Sequence, residues 1–163
     1  MRQKVVQKTM AYITRGSSLL VFRHVDHPDA GIQGPGGSLE PGESPLSGAL
    51  REALEETGLT ALEPVAYLCR RRLRFHHGPN GRAEWHYVYL LCNEQTSGRW
   101  IAREHAPSDG SPGPISFEHY WVPLTSIPRL CPGMGDLLAA IGGREIDAIR
   151  TSRQPVEHIL CLG

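Results

Sequence analysis

The sequence predicts an α/β fold, and three features support this prediction. Short segments rich in β-branched and aromatic residues recur between turns rich in glycine and proline, which is typical of β-strands. One segment, residues 45–57, instead repeats its apolar residues at helical spacing. The length of 163 residues fits one domain with its own core, so we expect a single domain over residues 1–163.

The first two strands are expected to form a hairpin. Residues 4–14 are rich in β-branched and aromatic side chains and alternate loosely between apolar and polar types. Residues 15–18 are a turn signal, and residues 19–25 then repeat the composition of a strand. A loop is expected over residues 24–31, before the glycine-rich turn at residues 34–37.

An amphipathic helix is predicted after this turn. Ser44 suits the N-cap, Pro45 suits the first helical position, and Gly58 is a natural stop. One side of the helix should pack on a core, because six residues recur there at helical spacing: Leu46, Ala49, Leu50, Ala53, Leu54 and Thr57.

The other side of this helix carries three carboxylates. Glu52, Glu55 and Glu56 occupy the last two turns, where the helix dipole disfavours acids by a few tenths to about 1 kcal/mol each. Arg51 can pair with Glu55, but in the weaker orientation. A solvated acidic face is the simpler explanation for any two such residues. Crowded acids beside a glycine-rich loop instead favour a site for Mg²⁺ or Mn²⁺, which take oxygen ligands and are completed by substrate phosphates.

Two antiparallel strands are expected next, at residues 61–75 and 84–93, joined by a turn that contains Asn80-Gly81. The first contains a basic run in which Arg70, Arg72 and Arg74 share one face. Three guanidinium groups suit phosphate oxygens, so these arginines are candidate substrate-binding residues. A solvated sheet edge protected by charge explains the run equally well. The aromatic residues of the second strand are expected mainly in the core, with base stacking as the alternative: Trp85, Tyr87 and Tyr89.

The sequence patterns are weaker in the last part of the chain, residues 97–162. Residues 97–114 show no periodicity and end in a Pro- and Gly-rich run, so we expect a mobile loop. Residues 115–123 predict a strand, and residues 135–141 predict a short helix closed by two glycines. Residues 144–150 stay ambiguous between helix and strand, and residues 156–162 suggest a final edge strand.

The residues around the helix resemble the Nudix box, whose pattern is G-x₅-E-x₇-R-E-U-x-E-E-x-G-U, with U an aliphatic residue. Its positions are held here by Gly37, Glu43, Arg51, Glu52, Ala53, Glu55, Glu56, Gly58 and Leu59. Ala53 is smaller than the usual residue, which alters packing and leaves the charged positions intact. The resemblance implies an α/β/α sandwich with a mixed β-sheet between helices. It also implies hydrolysis of the pyrophosphate linkage in a nucleoside diphosphate linked to another group, by attack of water at phosphorus.

The resemblance further implies roles for single residues. The expected ligands of Mg²⁺ or Mn²⁺ are Glu52, Glu55, Glu56 and a backbone carbonyl of Gly36 or Gly37. Glu43 and Arg51 are expected to orient the loop and the ligands. Bound divalent ions neutralise phosphate charge and generate an oxygen nucleophile at neutral pH.

The general base is placed variably in the family, either within the box or on a later loop. Within the box, Glu52 and Glu55 are the catalytic candidates. Beyond it, Glu118 is the candidate, and Glu104 in the expected loop is the second choice. A purely structural role explains Glu118 and Glu104 at least as well.

Composition gives expectations about partners and compartment. The balanced formal charge of +0 gives no indication of a nucleic-acid or membrane partner, and a nucleic-acid partner stays open. No apolar run is long enough to cross a bilayer, and the N-terminal residues lack a signal-peptide pattern. The four cysteines are widely spread and are expected as reduced thiols. We therefore expect a cytoplasmic protein with a small-molecule nucleotide substrate, and both a monomer and a homodimer stay open.

Two further functions stay open. A Nudix-like domain can sense a nucleotide without cleaving it, although such domains tend to have degraded boxes and this box is intact. An RNA 5′-end pyrophosphohydrolase would use the arginine run, and its RNA affinity would fall steeply with salt. The sequence lacks the signatures of the coenzyme A, NADH and dinucleoside polyphosphate branches, so the leaving group stays open.

Overall fold

The computed structural model describes residues 5–74, 82–107 and 110–141. Its elements are β1 (Val6–Arg15), β2 (Ser18–His24), a 3₁₀ turn (Pro28–Ala30), β3 (Gly36–Ser38), α1 (Pro45–Thr57), β4 (Leu62–Arg74), β5 (Arg82–Cys92), β6 (Arg99–Glu104), β7 (Ile115–Pro123) and α2 (Leu138–Ile141). The strands form one seven-stranded sheet with helical layers on both faces, so the α/β/α sandwich with a mixed sheet is confirmed.

The order of strands in the sheet is β4-β5-β1-β2-β7-β6, with β3 beside β1. β1 pairs in parallel with β5, whereas the other strand pairs are antiparallel. β1 and β2 pair only next to their turn, at Thr14 with Leu19 and Arg15 with Ser18. Farther along, β3 occupies the place beside β1, and Gln33 bridges to Phe22 of β2. The two halves of the sheet therefore separate, and a cleft opens between them.

α1 begins and ends as its sequence predicts. The Ser44 side chain accepts a hydrogen bond from Ser47 N at 3.1 Å, and Gly58 follows the helix in the left-handed conformation. Ala49 and Ala53 are fully buried against one face of the sheet, with Leu46 and Leu50 half-buried beside them. Leu54, expected on the same face, is only half-buried.

The opposite face of the sheet is covered by the turn before α2 and by α2 itself. Tyr12 Oη donates to Met134 O at 2.7 Å, and Tyr87 Oη donates to Gly133 O at 2.6 Å. These bonds satisfy two phenol groups that lie inside an apolar cluster and attach the turn to the sheet.

The prediction of a loop over residues 97–114 is wrong for its first part. Residues 99–104 form β6, which pairs with β7 from Arg99–Tyr120 to Glu104–Ile115. β6 is an edge strand, and its exposed positions include Arg99, Ile101 and Arg103. Charged residues are common on edge strands because they hinder pairing with other chains. They also dilute the hydrophobic alternation by which a strand is recognised.

Other differences are smaller. The loop expected at residues 24–31 contains the 3₁₀ turn, and the predicted helix at 135–141 is regular only over Leu138–Ile141. Cys69 is disulfide-bonded, so the expectation of four reduced thiols is wrong there, while Cys92 and Cys131 are free. The Asn80-Gly81 turn and the elements predicted for residues 144–150 and 156–162 lie outside the described residues. In the described part of the chain, no helix has the length and apolarity needed to span a bilayer.

Candidate active site

The glycines of β3 allow α1 to approach the sheet closely. Gly36 N donates to Glu56 Oε2 at 2.9 Å. A Cβ on Gly37 would overlap with the carboxylate of Glu52, and a Cβ on Gly36 would overlap with the backbone of Thr9. Glycine is therefore required at both positions by close approach of neighbouring atoms. The acidic side of α1 lies against backbone, with two of its carboxylates buried between helix and sheet.

Three carboxylates meet at this contact. Glu52, Glu56 and Glu104 each offer an oxygen within 4.8 Å of the other two, and their exposed fractions are 0%, 5% and 8%. Glu52 and Glu56 lie one helical turn apart, and Glu104 ends β6. Burial, and then the charges of Glu104 and Glu52, raise the pKa of Glu56 well above its usual range. The cluster is thus a buried concentration of negative charge.

This donor set fits a hard divalent cation. Mg²⁺ and Mn²⁺ prefer carboxylate and other oxygen ligands, and a cation would offset the repulsion that raises the pKa of Glu56. The absence of a Cβ on Gly37 preserves the space that the Glu52 carboxylate occupies. The residues present are therefore suited to hold the ion that the sequence predicts.

Arg51 connects the parts of the site. Its Nε and Nη2 donate to the two oxygens of Glu43 at 2.9 Å each, and its Nη1 donates to Glu52 Oε1 at 2.9 Å. Nη2 also reaches Ser38 O at 3.1 Å. One guanidinium thus joins the loop before α1, the end of β3 and a buried carboxylate. The hydrogen bonds from Arg51 lower the pKa of Glu43, which keeps that carboxylate charged. This placement suits the orienting role expected for Glu43 and Arg51.

Glu55 lies apart from the cluster. Its side chain is 52% exposed and contacts Arg51 at 3.4 Å, on the solvent side of α1. Position 55 shares the acidic side of the helix with position 52, but it lies about 100° around the axis from position 56 and faces solvent. Of the three carboxylates expected together on α1, the structure brings two together and adds Glu104.

Glu118 also lies outside the cluster. Its carboxylate is paired with Arg23 of β2 and with Arg99 Nη1 of β6, the latter at 3.0 Å. These two hydrogen bonds lower the pKa of Glu118, so the group is held as an anion between neighbouring strands. Its surroundings are those of a cross-strand ion pair.

The arginine run of β4 is directed away from the cleft. Arg72 Nε donates to Glu84 Oε1 at 2.9 Å, and Arg70 lies 3.8 Å from the same carboxylate. Glu84 belongs to the α1 side of the sheet, where Gln7 Nε2 also donates to it. Arg71 points to the other face and pairs with Asp136 at 2.8 Å. Of Arg74 only the backbone is described. The structure therefore does not bring Arg70 or Arg72 to the carboxylate cluster.

A cavity of about 230 Å³ opens beside the carboxylates, in the cleft between β1 and β2. Glu56 and Glu104 line one part of it, together with Gly36 and Gly37. A second part is aromatic and includes Phe22, His24 and Phe117. The rings of Phe22 and His24 lie 4.8 and 4.9 Å from the ring of Phe117. A third part is formed by Lys8, Trp85 and Met134. Larger depressions of 570 and 460 Å³ are lined by none of the three clustered carboxylates.

Most of the cavity residues were missed by reasoning from the sequence. Phe22 and Phe117 carry the same signal as any apolar residue of a strand, and Met134 lies in a turn, whereas Trp85 is expected in the core with base stacking as the alternative. They meet only because β1 pairs with β5 and β2 pairs with β7. Glu104 is only the second choice in the sequence because the local pattern does not reveal β6. Its position at the end of a strand beside residues 115–123 was the signal that could have raised it.

Comparisons with known proteins agree with this geometry. Residues 6–141 match the family model described as NUDIX domain. The nucleoside triphosphate pyrophosphatase/Nudix hydrolase fusion protein of Bifidobacterium longum (strain NCC 2705) is 32% identical over 97 residues. That match covers 58% of this chain and 17% of the relative, so the chain spans a small part of that protein.

Solved structures share the fold at low identity. The crystal structure of a UDP-X diphosphatase has a TM-score of 0.61 and 15% identity, covering 87% of this chain and 64% of its own. A NUDIX hydrolase from Nitrosomonas europaea has a TM-score of 0.61 and 18% identity, and the match covers 97% of this chain and 78% of that structure's chain. An ADP-ribose pyrophosphatase from Streptococcus suis 89-1591 has a TM-score of 0.55 and 18% identity, and the match covers 93% of this chain and 98% of that structure's chain. With the family match over most of its length, the box and the fold, the chain belongs to the Nudix family.

Proposed function

We propose that the protein is a divalent-metal-dependent pyrophosphohydrolase that cleaves the pyrophosphate linkage of a nucleoside diphosphate linked to another group. The observation that supports this most is the meeting of three buried carboxylates within 4.8 Å, two of which, Glu56 and Glu104, line a cavity. Attack of water at phosphorus needs neutralised phosphate charge and an oxygen nucleophile. A Mg²⁺ or Mn²⁺ ion supplies both when bound. Glu52, Glu56 and Glu104 would hold the ion.

The remaining polar residues of the site have proposed roles that do not require contact with substrate. Arg51 holds Glu52 by one oxygen and keeps the Glu43 loop against β3. For proton transfer from water, a carboxylate must have an accessible lone pair and sufficient basicity. Glu118 is engaged by two arginines and its pKa is lowered, so the geometry favours the carboxylates of α1 and β6, including the exposed Glu55.

The aromatic part of the cavity supports a nucleotide as the substrate. Stacking on aromatic side chains contributes roughly 1–3 kcal/mol per base and tolerates different bases. Among the rings on the same cavity as Glu56 and Glu104, His24 is partly exposed, and the nearly buried rings of Phe22 and Phe117 pack against it. The names of two structural neighbours, a UDP-X diphosphatase and an ADP-ribose pyrophosphatase, point to the same class of substrate.

The proposal of an RNA 5′-end pyrophosphohydrolase loses its main support. It depended on the arginine run, but Arg70 and Arg72 are paired with Glu84 and do not line the cavity beside the carboxylates. A small-molecule nucleotide is therefore the proposed substrate. A cytoplasmic location stays an expectation.

A substrate panel tests this proposal. Nucleoside diphosphate sugars, ADP-ribose and nucleoside triphosphates are assayed for release of nucleoside monophosphate with Mg²⁺ and with Mn²⁺. Glu52→Gln and Glu56→Gln should each lower kcat by at least about a hundredfold. Glu63→Gln, an exposed carboxylate on β4 that accepts from Asn93 at 3.0 Å, is the matched control and should keep full activity.

Two outcomes would contradict the proposal. Unchanged turnover in both cluster variants would show that the carboxylates are not part of the reaction. Tight nucleotide binding by the wild-type protein, without turnover under any divalent metal, would favour a sensor domain.

A further inference from the structure

We propose that Lys8 binds a phosphate group of the substrate, and that the ring of Trp85 holds its ammonium group at the cavity. This inference rests on the proposed function and extends it, since the three arginines of β4 whose side chains are described, Arg70, Arg71 and Arg72, are paired with carboxylates. The ligand class is the anionic phosphate of a nucleoside diphosphate.

Lys8 is placed by the interior of the sheet. Its backbone lies between Ser38 of β3 and Trp85 of β5, so β1 is paired on both sides at this residue. In register across parallel strands, Lys8 and Trp85 direct their side chains to the same face, and both line the cavity. Lys8 Nζ lies 5.7 Å from the centroid of the Trp85 ring, within the range of a cation–π contact.

Lys8 forms no ion pair with any carboxylate in the part of the chain that the structure describes. Most arginines around the sheet have carboxylate partners: Arg23 and Arg99 with Glu118, Arg51 with Glu43, Arg70 and Arg72 with Glu84, and Arg71 with Asp136. Among the described residues, no carboxylate lies within ion-pair distance of Lys8. It is also the one Lys or Arg among the described residues that line this cavity. The cation is therefore available to a ligand.

The chemistry of the substrate requires such a cation. A diphosphate brings two or more negative charges into a cavity whose own wall carries Glu56 and Glu104. Carboxylates repel phosphate, so a phosphate that lies away from the acidic cluster gains from a positive group nearby. A lysine ammonium is a compact cation on a flexible stem and binds phosphate as a point charge. Binding to Lys8 breaks no ion pair with a described carboxylate, so no buried charge is left behind.

The experiment compares Lys8→Met, Lys8→Arg and the control Arg129→Met, an exposed cation that does not line the cavity. Binding of ADP and UDP in the presence of Mg²⁺ is measured by calorimetry, and turnover is measured separately on the substrate panel. Circular dichroism verifies that each variant is folded. We expect Lys8→Met to weaken ADP binding and to raise KM by about tenfold, as loss of one charged hydrogen bond does, with kcat changed less than about twofold. Lys8→Arg should recover part of the affinity, and Arg129→Met should match the wild type.

The outcomes separate this inference from the proposed function. Normal ADP affinity in Lys8→Met, or no ADP binding by the wild-type protein, would overturn the role of Lys8 whatever the turnover. Loss of affinity in Lys8→Met without turnover of any substrate by the wild type would support Lys8 and contradict the proposed hydrolysis. Tryptophan fluorescence gives an independent readout. Binding of ADP should change the emission of the wild type and change it much less in Trp85→Phe, and an equal change in both proteins would count against the Trp85 contact.

Discussion

Replacing Gly37 with alanine should disable the site while leaving the fold in place. A Cβ at this position would overlap with Cδ and Oε2 of Glu52 and would lie 2.6 Å from its Oε1, whereas ordinary contact begins near 3.4 Å, so the carboxylate must retreat by at least about 0.8 Å. Gly37 does not belong to the glycines with positive φ, and alanine is compatible with its extended backbone. The steric contact with Glu52 is therefore the main consequence of the change.

The magnitude follows from the tolerance of the site. Glu52 is fully buried and is held by Arg51 at 2.9 Å, so its carboxylate has little freedom to adapt. Mg²⁺ demands near-ideal distances to its ligands, and a misplacement of about 1 Å in a catalytic site costs on the order of a hundredfold in rate. We expect kcat/KM to fall by about a hundredfold. The free energy of unfolding should fall by only about 1–3 kcal/mol, the usual cost of overpacking.

The assay measures kcat/KM against Mg²⁺ concentration for the wild type, Gly37→Ala and Gly98→Ala. Gly98 is the control, because a Cβ there meets no atom within 4 Å and its φ is not positive. Higher Mg²⁺ should restore part of the activity of Gly37→Ala, which an unfolded protein would not show. Wild-type activity and wild-type Mg²⁺ dependence in Gly37→Ala would refute the placement of Glu52 as a ligand.

Three other predictions follow from the same geometry. Glu104→Gln should weaken Mn²⁺ binding by roughly 10–100-fold in calorimetry, yet raise the thermal midpoint in metal-free buffer, because one of three mutually repelling carboxylates is neutralised. A lower midpoint would contradict that repulsion. Burial lowers the pKa of His119 to about 4 from its ordinary 6.5. The neutral imidazole therefore makes its full contribution to the free energy of unfolding above pH 6.5, and that contribution is lost as the pH falls towards 4. Between pH 6.5 and 4, the free energy of unfolding measured with urea should fall by up to about 3 kcal/mol in the wild type through this effect, and by less in His119→Phe. An equal fall in both proteins would refute the role of His119. Arg72→Ala should keep kcat/KM within about twofold of the wild type, because Arg72 pairs with Glu84 away from the cavity. A tenfold loss would show that the arginine run contributes to the site.

The helix and two of its acids were predictable because their determinants are local. Ser44, Pro45 and Gly58 set the ends of α1 through contacts within one turn. The spacing of Glu52 and Glu56 places them on one face of any helix. Both carboxylates become buried against β3 because Gly36 and Gly37, in the same stretch of sequence, allow the helix to approach closely.

The other half of the site depends on pairing between distant strands. Lys8 meets Trp85 because β1 pairs with β5 across more than seventy residues, and no local pattern encodes that pairing. Alternation did group Arg70 with Arg72, as the structure has them. The alternation of residues does not show which face of the strand will line the cavity, because that depends on the strands and helices that pack beside it.

Glu104 was underestimated for a related reason. β6 is an edge strand whose exposed arginines weaken the alternation, so the segment resembles a loop. Its pairing with β7 brings Glu104 to the cluster, while Glu118 on β7 is taken by cross-strand arginines. The choice between these two carboxylates therefore required the register of β6 and β7.

The most direct test of the central claim is anomalous diffraction at the manganese edge from a crystal grown with Mn²⁺. We expect a peak in contact with Glu52, Glu56 and Glu104, and loss of that peak in Glu56→Gln. A peak that contacts none of these three carboxylates, or no peak at a Mn²⁺ concentration that supports turnover, would contradict it.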